Sequence, residues 1–255
     1  MRPALPTAFL RAPIAHRALH DRARRRIENS VSAIRAARAA GYGIELDLQL
    51  SADGEAMVFH DDDLDRLTGE QGPLNARTAG ELARIKLKDT DDTIPTFAQI
   101  LSLIGGAVPL LVELKDQSLS MSDTNARLES ATAHDLERYS GPVALMSFNP
   151  HSVAHMARLA PHLPRGLTTC AYGDDWAPLA QPTCDRLREI PDYDRTEASF
   201  ISHEAADLTR PRVAALKAAG AVILCWTIRS PEAEAQARQI AHNITFEGYA
   251  AAFPA

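Results

Sequence analysis

The feature that most constrains this chain is its alternation of short apolar runs with Ala-, Arg- and Leu-rich stretches, the pattern of βα units around a parallel sheet. Nine runs read as strands, at residues 12–16, 44–50, 57–60, 109–115, 143–148, 166–169, 200–202, 222–228 and 244–246. The link 51–56, Ser-Ala-Asp-Gly-Glu-Ala, is far shorter than the roughly dozen residues a parallel crossover needs. Run 57–60 therefore returns antiparallel, as a hairpin arm of 44–50. Eight strands remain, the count of a TIM-type (β/α)8 barrel.

Helices fill the intervals. Ser30 caps a helix over 31–40 that Gly41 stops, Thr209 caps 211–219 before Gly220, and Ser230 precedes a helix over 231–242. At 255 residues and 45% hydrophobic, the chain suits one large barrel domain, 1–255. Two segments interrupt the alternation. Residues 61–92 are polar and turn-rich, with a short helix near Thr78, and read as a small insertion after the His60 hairpin arm that caps the barrel mouth. Residues 172–198, with Pro178, Pro182 and Pro191, read as a long βα loop.

Charge narrows the partners. A net charge of -6 argues against nucleic acid, whose binding wants a basic face. The N-terminal region has no signal-peptide core, and no stretch approaches the roughly 18 apolar residues of a spanning helix. The expectation is a cytoplasmic protein with no stable membrane association and an open oligomeric state. Cys170, Cys184 and Cys225 lack paired spacings and read as buried thiols.

The chemistry sits where strands end. Glu45 and Asp47 are two apart on one strand, and so are Glu113 and Lys115 on another, so each pair shares a face. Several inward carboxylates need a counter-charge, and oxygen-only ligands suit a hard cation, Mg2+ or Ca2+, better than zinc, which the two histidines nonetheless leave open. Glu45 and Asp47 alone are equally well explained as an ion-pair network with Arg17 and Lys115. His16 and His60 each close an apolar run and precede a charged residue, which suits a proton-transfer pair near neutral pH. Arg17 and Lys115 add a fork and a point charge for phosphate oxygens. The remaining histidines, His20, His134, His151, His155, His162, His203 and His242, read as ordinary hydrogen-bonded residues. The set as a whole suggests a small phosphate ester as substrate.

With these residues in place, the chain resembles the glycerophosphodiester phosphodiesterase family, whose signature is His-Arg, Glu-x-Asp and His. Here these are His16-Arg17, Glu45-Leu-Asp47 and His60-Asp61. The likeness continues through Glu28-Asn29, Leu64-Asp-Arg66-Leu-Thr68, Gly72, Ile94-Pro95-Thr96, Val112-Glu113-Leu-Lys115, Ser147-Phe148 and Cys225-Trp226-Thr227. It implies a TIM-type barrel in which Glu45, Asp47 and Glu113 hold a divalent metal, His16 and His60 exchange protons, and Arg17 and Lys115 bind the phosphoryl group. It further implies hydrolysis of glycerophosphodiesters to glycerol 3-phosphate and an alcohol. Trp226 either walls the alcohol or is a core aromatic.

Four departures stand out. Ala18 replaces the usual Gly after His-Arg, Ile27 replaces Pro, Phe246-Glu247 replaces Thr-Asp, and Arg229 replaces Asn, where it could favour an anionic head group. Two other functions compete. A lysophospholipase D-like activity needs an apolar groove at the mouth, and the sequence offers no long apolar loop for one. A catalytically silent phosphodiester-binding barrel would not need both histidines. A metal amidohydrolase is disfavoured, since there is no His-x-His pair.

Overall fold

The computed structural model describes residues 2–177 and 179–254; Pro178 of the long loop lies outside them. Nine strands form one sheet: β1 (Ile14–Ala15), β2 (Gly43–Leu50), β3 (Ala56–Val58), β4 (Leu110–Leu114), β5 (Val143–Ser147), β6 (Arg165–Thr169), β7 (Phe200–Glu204), β8 (Val222–Ile228) and β9 (Asn243–Phe246). Their order is β1-β9-β8-β7-β6-β5-β4-β2-β3, and β1 also pairs with β2 to close the ring. Eight strands are parallel. Only β3 runs antiparallel, pairing Leu48 with Val58 and Leu50 with Ala56, so the short 51–56 link does make a hairpin arm on a (β/α)8 barrel.

The first strand is shorter than the run 12–16 suggests. Pro13 has no N–H to give, and Arg17 and Ala18 swing to φ of 49° and 64°, which ends the ladder just after His16. His16 N still donates to Phe246 O at 2.8 Å.

The helices surround the barrel. The second, α2 (Val31–Ala40), follows a four-residue α1 (Ala8–Arg11); Ser30 Oγ accepts from Ala33 N, and Gly41 stops the helix at φ 77°. Its Ala33, Ile34 and Ala37 pack with Ile44, Leu46 and Leu48, the outward residues of β2. Next come α3 (Ala79–Leu82) and α4 (Phe97–Ile104), both with capping boxes, then α5 (Arg127–Leu136), α6 (Pro150–Leu159), α7 (Gln181–Arg188), α8 (Pro211–Ala218) and α9 (Pro231–Ala237). Two helical expectations need correcting. Pro211 opens α8, so the cap position falls on Arg210 rather than Thr209, with no side-chain cap bond. The last helix stops at Ala237 rather than 242 because the chain must turn to dock His242, whose N–H donates to Ile223 O and whose ring accepts from Ile223 N.

The long 172–198 loop also carries α7 and two short 3-10 turns. Segment 61–92 builds its own small core from Leu64, Leu67, Leu74, Leu82 and Leu87, with Met57, Phe59 and Ile94.

The barrel interior is divided. Its lower part is apolar: Ile14, Leu111, Ala144, Met146, Phe200 and Leu224 pack together, and Phe9 of α1 plugs the bottom. The upper part, toward the C-terminal strand ends, is polar, and this is where barrels of this type place their chemistry. Among the described residues no helix is long and apolar enough to cross a membrane.

Candidate active site

Alternation along the strands decides which side chains reach the interior. From β2 come Glu45 and Asp47, from β4 Glu113 and just beyond it Lys115, and all line one cavity with His16, Arg17 and His60. Glu45, Asp47 and Glu113 are all buried, and each offers an oxygen within 4.8 Å of the others. Burial first, and then the charges of Asp47 and Glu113, push the Glu45 carboxyl well above the usual carboxylate range. Asp47 goes the other way. Burial opposes its charge, but Lys115, His60 and Arg17 hold it below its ordinary value. Lys115 Nζ bridges Asp47 Oδ1 at 2.8 Å and Glu113 Oε1 at 2.6 Å, and those two carboxylates outweigh burial to raise its pKa. The Lys115 ammonium and an Arg17 guanidinium shared between Asp47 and Glu28 do not match the charge of three crowded acids. The all-oxygen donor set therefore fits a hard divalent cation.

Each histidine has its own carboxylate. His16 Nδ1 lies 2.6 Å from Glu247 Oε2, and His60 Nδ1 lies 2.7 Å from Asp61 Oδ1. An ionised carboxylate can only accept, so in both rings Nδ1 carries the proton and Nε2 is left with its lone pair. Burial lowers the His16 pKa below 6.5, against the opposing pull of Glu247.

A polar frame holds these parts in register. Arg17 N donates to Glu45 Oε2 and Ala18 N to Glu45 O, so the left-handed turn after His16 is pinned to β2 although no glycine stands there. Arg17 Nη1 donates to Glu28, Asn29 Nδ2 donates to Asp47 Oδ2, and Arg66 joins Glu28 to Asp61. Thr168, Ser202 and Thr245 point their buried hydroxyls into the same cavity with no hydrogen-bond partner among the described residues, and Arg17 Nε makes no hydrogen bond there, its nearest acid being Asp47 Oδ2 at 3.7 Å.

The cavity opens into a cleft of about 850 Å³ that shares His60, Glu113, Lys115, Phe148 and Trp226 with it. All eight residues singled out from the sequence, His16, Arg17, Glu45, Asp47, His60, Glu113, Lys115 and Trp226, thus meet in one place. Trp226 does stand on the wall, its Nε1 donating to Ser202 O and its ring edge-on to Phe148 at 5.6 Å. Arg229 does not line it. Its guanidinium, 67% exposed, pairs with Glu247 at 2.7 Å instead.

Residues 16–245 match the family model for the glycerophosphoryl diester phosphodiesterase family. The chain belongs to that family. Similar members include a glycerophosphodiester phosphodiesterase of Caldanaerobacter subterraneus, 30% identical over 58% of this chain and 64% of that protein's length. Another is a glycerophosphodiester phosphodiesterase of Bacillus altitudinis, 27% identical over 80% of this chain and 81% of its own length. The fold agrees with that of an Oleispira antarctica phosphodiesterase solved with the product sn-glycerol-3-phosphate, at a TM-score of 0.76 and 23% identity over 94% of each chain.

Sequence reasoning passed over several site residues. Glu247 stood out only as a departure from the family pattern, and Asp61 and Glu28 only as motif neighbours. The signal for Thr168, Ser202 and Thr245 was available: each lies two residues from another inward position on its own strand.

Proposed function

We propose that this protein hydrolyses glycerophosphodiesters to glycerol 3-phosphate and an alcohol, with Glu45, Asp47 and Glu113 holding Mg2+ or Ca2+ and with His16 and His60 as the acid and base. The observation that carries the reading is the meeting of three crowded carboxylates with two histidines whose Nδ1 atoms are each fixed by a carboxylate.

When bound, the cation would neutralise phosphoryl charge and help acidify an attacking hydroxyl. Arg17 and Lys115 draw the phosphoryl oxygens into the cavity, and the Thr168, Ser202 and Thr245 hydroxyls supply donors there. His16 and His60 move protons at Nε2, one taking a proton from the attacking oxygen and the other delivering one to the departing alcohol. The apolar lower barrel closes the cavity from beneath, which keeps these charges in a medium of low dielectric. Segment 61–92 serves as the cap of the single barrel domain, since Asp61 to Arg66 form one wall of the cleft.

The cleft favours a second reading in one respect. Leu119, Met121 and Leu179 make an apolar lip that the sequence did not disclose, and an apolar lip is what a lysophospholipid, the larger substrate, requires. The test for both is release of glycerol 3-phosphate, or of free alcohol, from a panel of glycerophosphodiesters and lysophospholipids, with and without chelator, beside His16→Ala and Glu45→Ala variants. Turnover that needs the cation and both residues supports the proposal. A folded protein that binds a diester yet turns over none with any divalent cation would instead be a silent binding barrel.

A further inference from the structure

The cleft is chemically lopsided from floor to mouth. At the floor, Arg17, Lys115 and the unpartnered hydroxyls suit an anion. At the mouth the sign reverses. Arg66 lines the cleft there but is committed to Glu28 and Asp61. Asp62, Asp63, Asp65, Asp116 and Asp175 also line it, with no guanidinium or ammonium partner among the described residues.

The same cleft carries an aromatic corner, and Asp175 directly precedes one of its rings. The Phe148 ring lies 4.9 Å from Trp176 and 5.6 Å from Trp226, tilted 52° to the first and 85° to the second, so the three rings present a concave apolar wall. Tyr172 backs Trp176 at 5.0 Å. Aromatic faces attract cations through their quadrupole and accept apolar methyl groups, and acids at the rim add a long-range pull.

We propose that this mouth is a subsite for an alcohol bearing a quaternary ammonium group, so that the cleft selects zwitterionic glycerophosphodiesters, phosphate inward and cation outward. The proposal deepens the hydrolase reading and rests on it for the phosphate end alone. Neutral polyols gain nothing from the aromatic corner, and anionic head groups meet the aspartates.

Trp176 and Trp226 are the chain's two tryptophans and both line the cleft, so intrinsic fluorescence reads its occupancy directly. The magnesium-supplemented protein is titrated at fixed ionic strength with choline and with 3,3-dimethylbutanol, its uncharged isostere. Saturable quenching with choline bound about tenfold more tightly is expected, and Asp175→Asn should narrow that ratio. Equal affinities, or no saturable response to choline, overturn the proposal whether or not any diester is hydrolysed. Carried to turnover, kcat/KM for glycerophosphocholine should exceed those for glycerophosphoglycerol and glycerophosphoinositol by about tenfold. A lead for either of those, or for a lysophosphatidylcholine over glycerophosphocholine, also overturns it, the last by assigning the wall to an acyl chain. Choline binding without turnover of any diester would leave the cation subsite standing and remove the hydrolase reading.

Discussion

The Glu247 carboxylate sits 2.6 Å from His16 Nδ1 and also takes Arg229 Nε at 2.7 Å, while His20 Nε2 lies 3.4 Å away. A residue just past the last strand thereby orients a histidine just past the first, across the seam where β9 and β1 close the barrel. His60 and Asp61 form the same pair within two adjacent residues.

Replacing Glu247 by Gln keeps a side chain in reach of His16 but removes the charge that stabilises its imidazolium. Burial already lowers the His16 pKa below 6.5, and Glu247 opposes that shift, so the variant's pKa should fall further. The acid limb of kcat/KM, where a neutral base is lost to protonation, should therefore move to lower pH. The plateau should drop by about tenfold to a hundredfold, the usual cost of losing an orienting partner. A pH profile of both proteins checks this. An unmoved acid limb would assign it to a group other than His16.

The crowding of Glu45, Asp47 and Glu113 predicts opposite stability effects with and without cation. Burial and its neighbours' charges disfavour ionised Glu45, so Glu45→Gln should raise the melting temperature of the chelated protein. A divalent cation at about 100 times its Kd should stabilise the parent by about 2.7 kcal/mol, or about 5–10 °C for a chain of this size. The variant should lose most of that response. Thermal unfolding with EDTA, Mg2+ and Ca2+ reads both effects, and equal cation shifts in the two proteins would remove Glu45 from the ligand set.

Much of this site was legible because strand geometry is strict. Period-two alternation put Glu45 beside Asp47 and Glu113 beside Lys115, and the short 51–56 link separated the hairpin arm from the eight barrel strands. The illegible parts depend on closure and on loops, which lack periodicity. Nothing local in the sequence brings Glu247 to His16, 231 residues away, or gathers Phe148, Trp176 and Trp226 into one corner. The free hydroxyls of Thr168, Ser202 and Thr245 fall between these cases. Their parity was readable, but their lack of partners was not. Helix ends such as Ala237 were missed because docking of the next strand, rather than a stop signal, sets them.

The three cysteines should be inert in the folded protein. All are free and buried, and burial pushes the Cys170 and Cys225 thiols up to about 12. At pH 8 almost no thiolate exists at either, and thiolate is the reactive species. Ellman's reagent should label the native protein only at the rate of unfolding and all three thiols after denaturation. Rapid labelling of one thiol in the native state would reveal local opening around it.

Gly166 tests the packing beneath the site. A Cβ there would overlap the Phe200 ring, and that ring fills the apolar lower barrel against Leu111, Ala144 and Leu224. Phe200 is fully buried and has little room to retreat, so Gly166→Ala must shift a strand or force an unfavourable rotamer. Overpacking of this kind costs about 1–3 kcal/mol. Thr168, two residues along β6, faces the catalytic cavity, so any shift of β6 would also move a hydroxyl proposed to meet the phosphate. Urea unfolding should therefore show the loss of stability together with a raised KM. Pairing the change with Phe200→Leu, which removes the ring from that contact, should recover part of both. A Gly166→Ala protein as stable as its parent would mean that the lower barrel yields more easily than its packing implies.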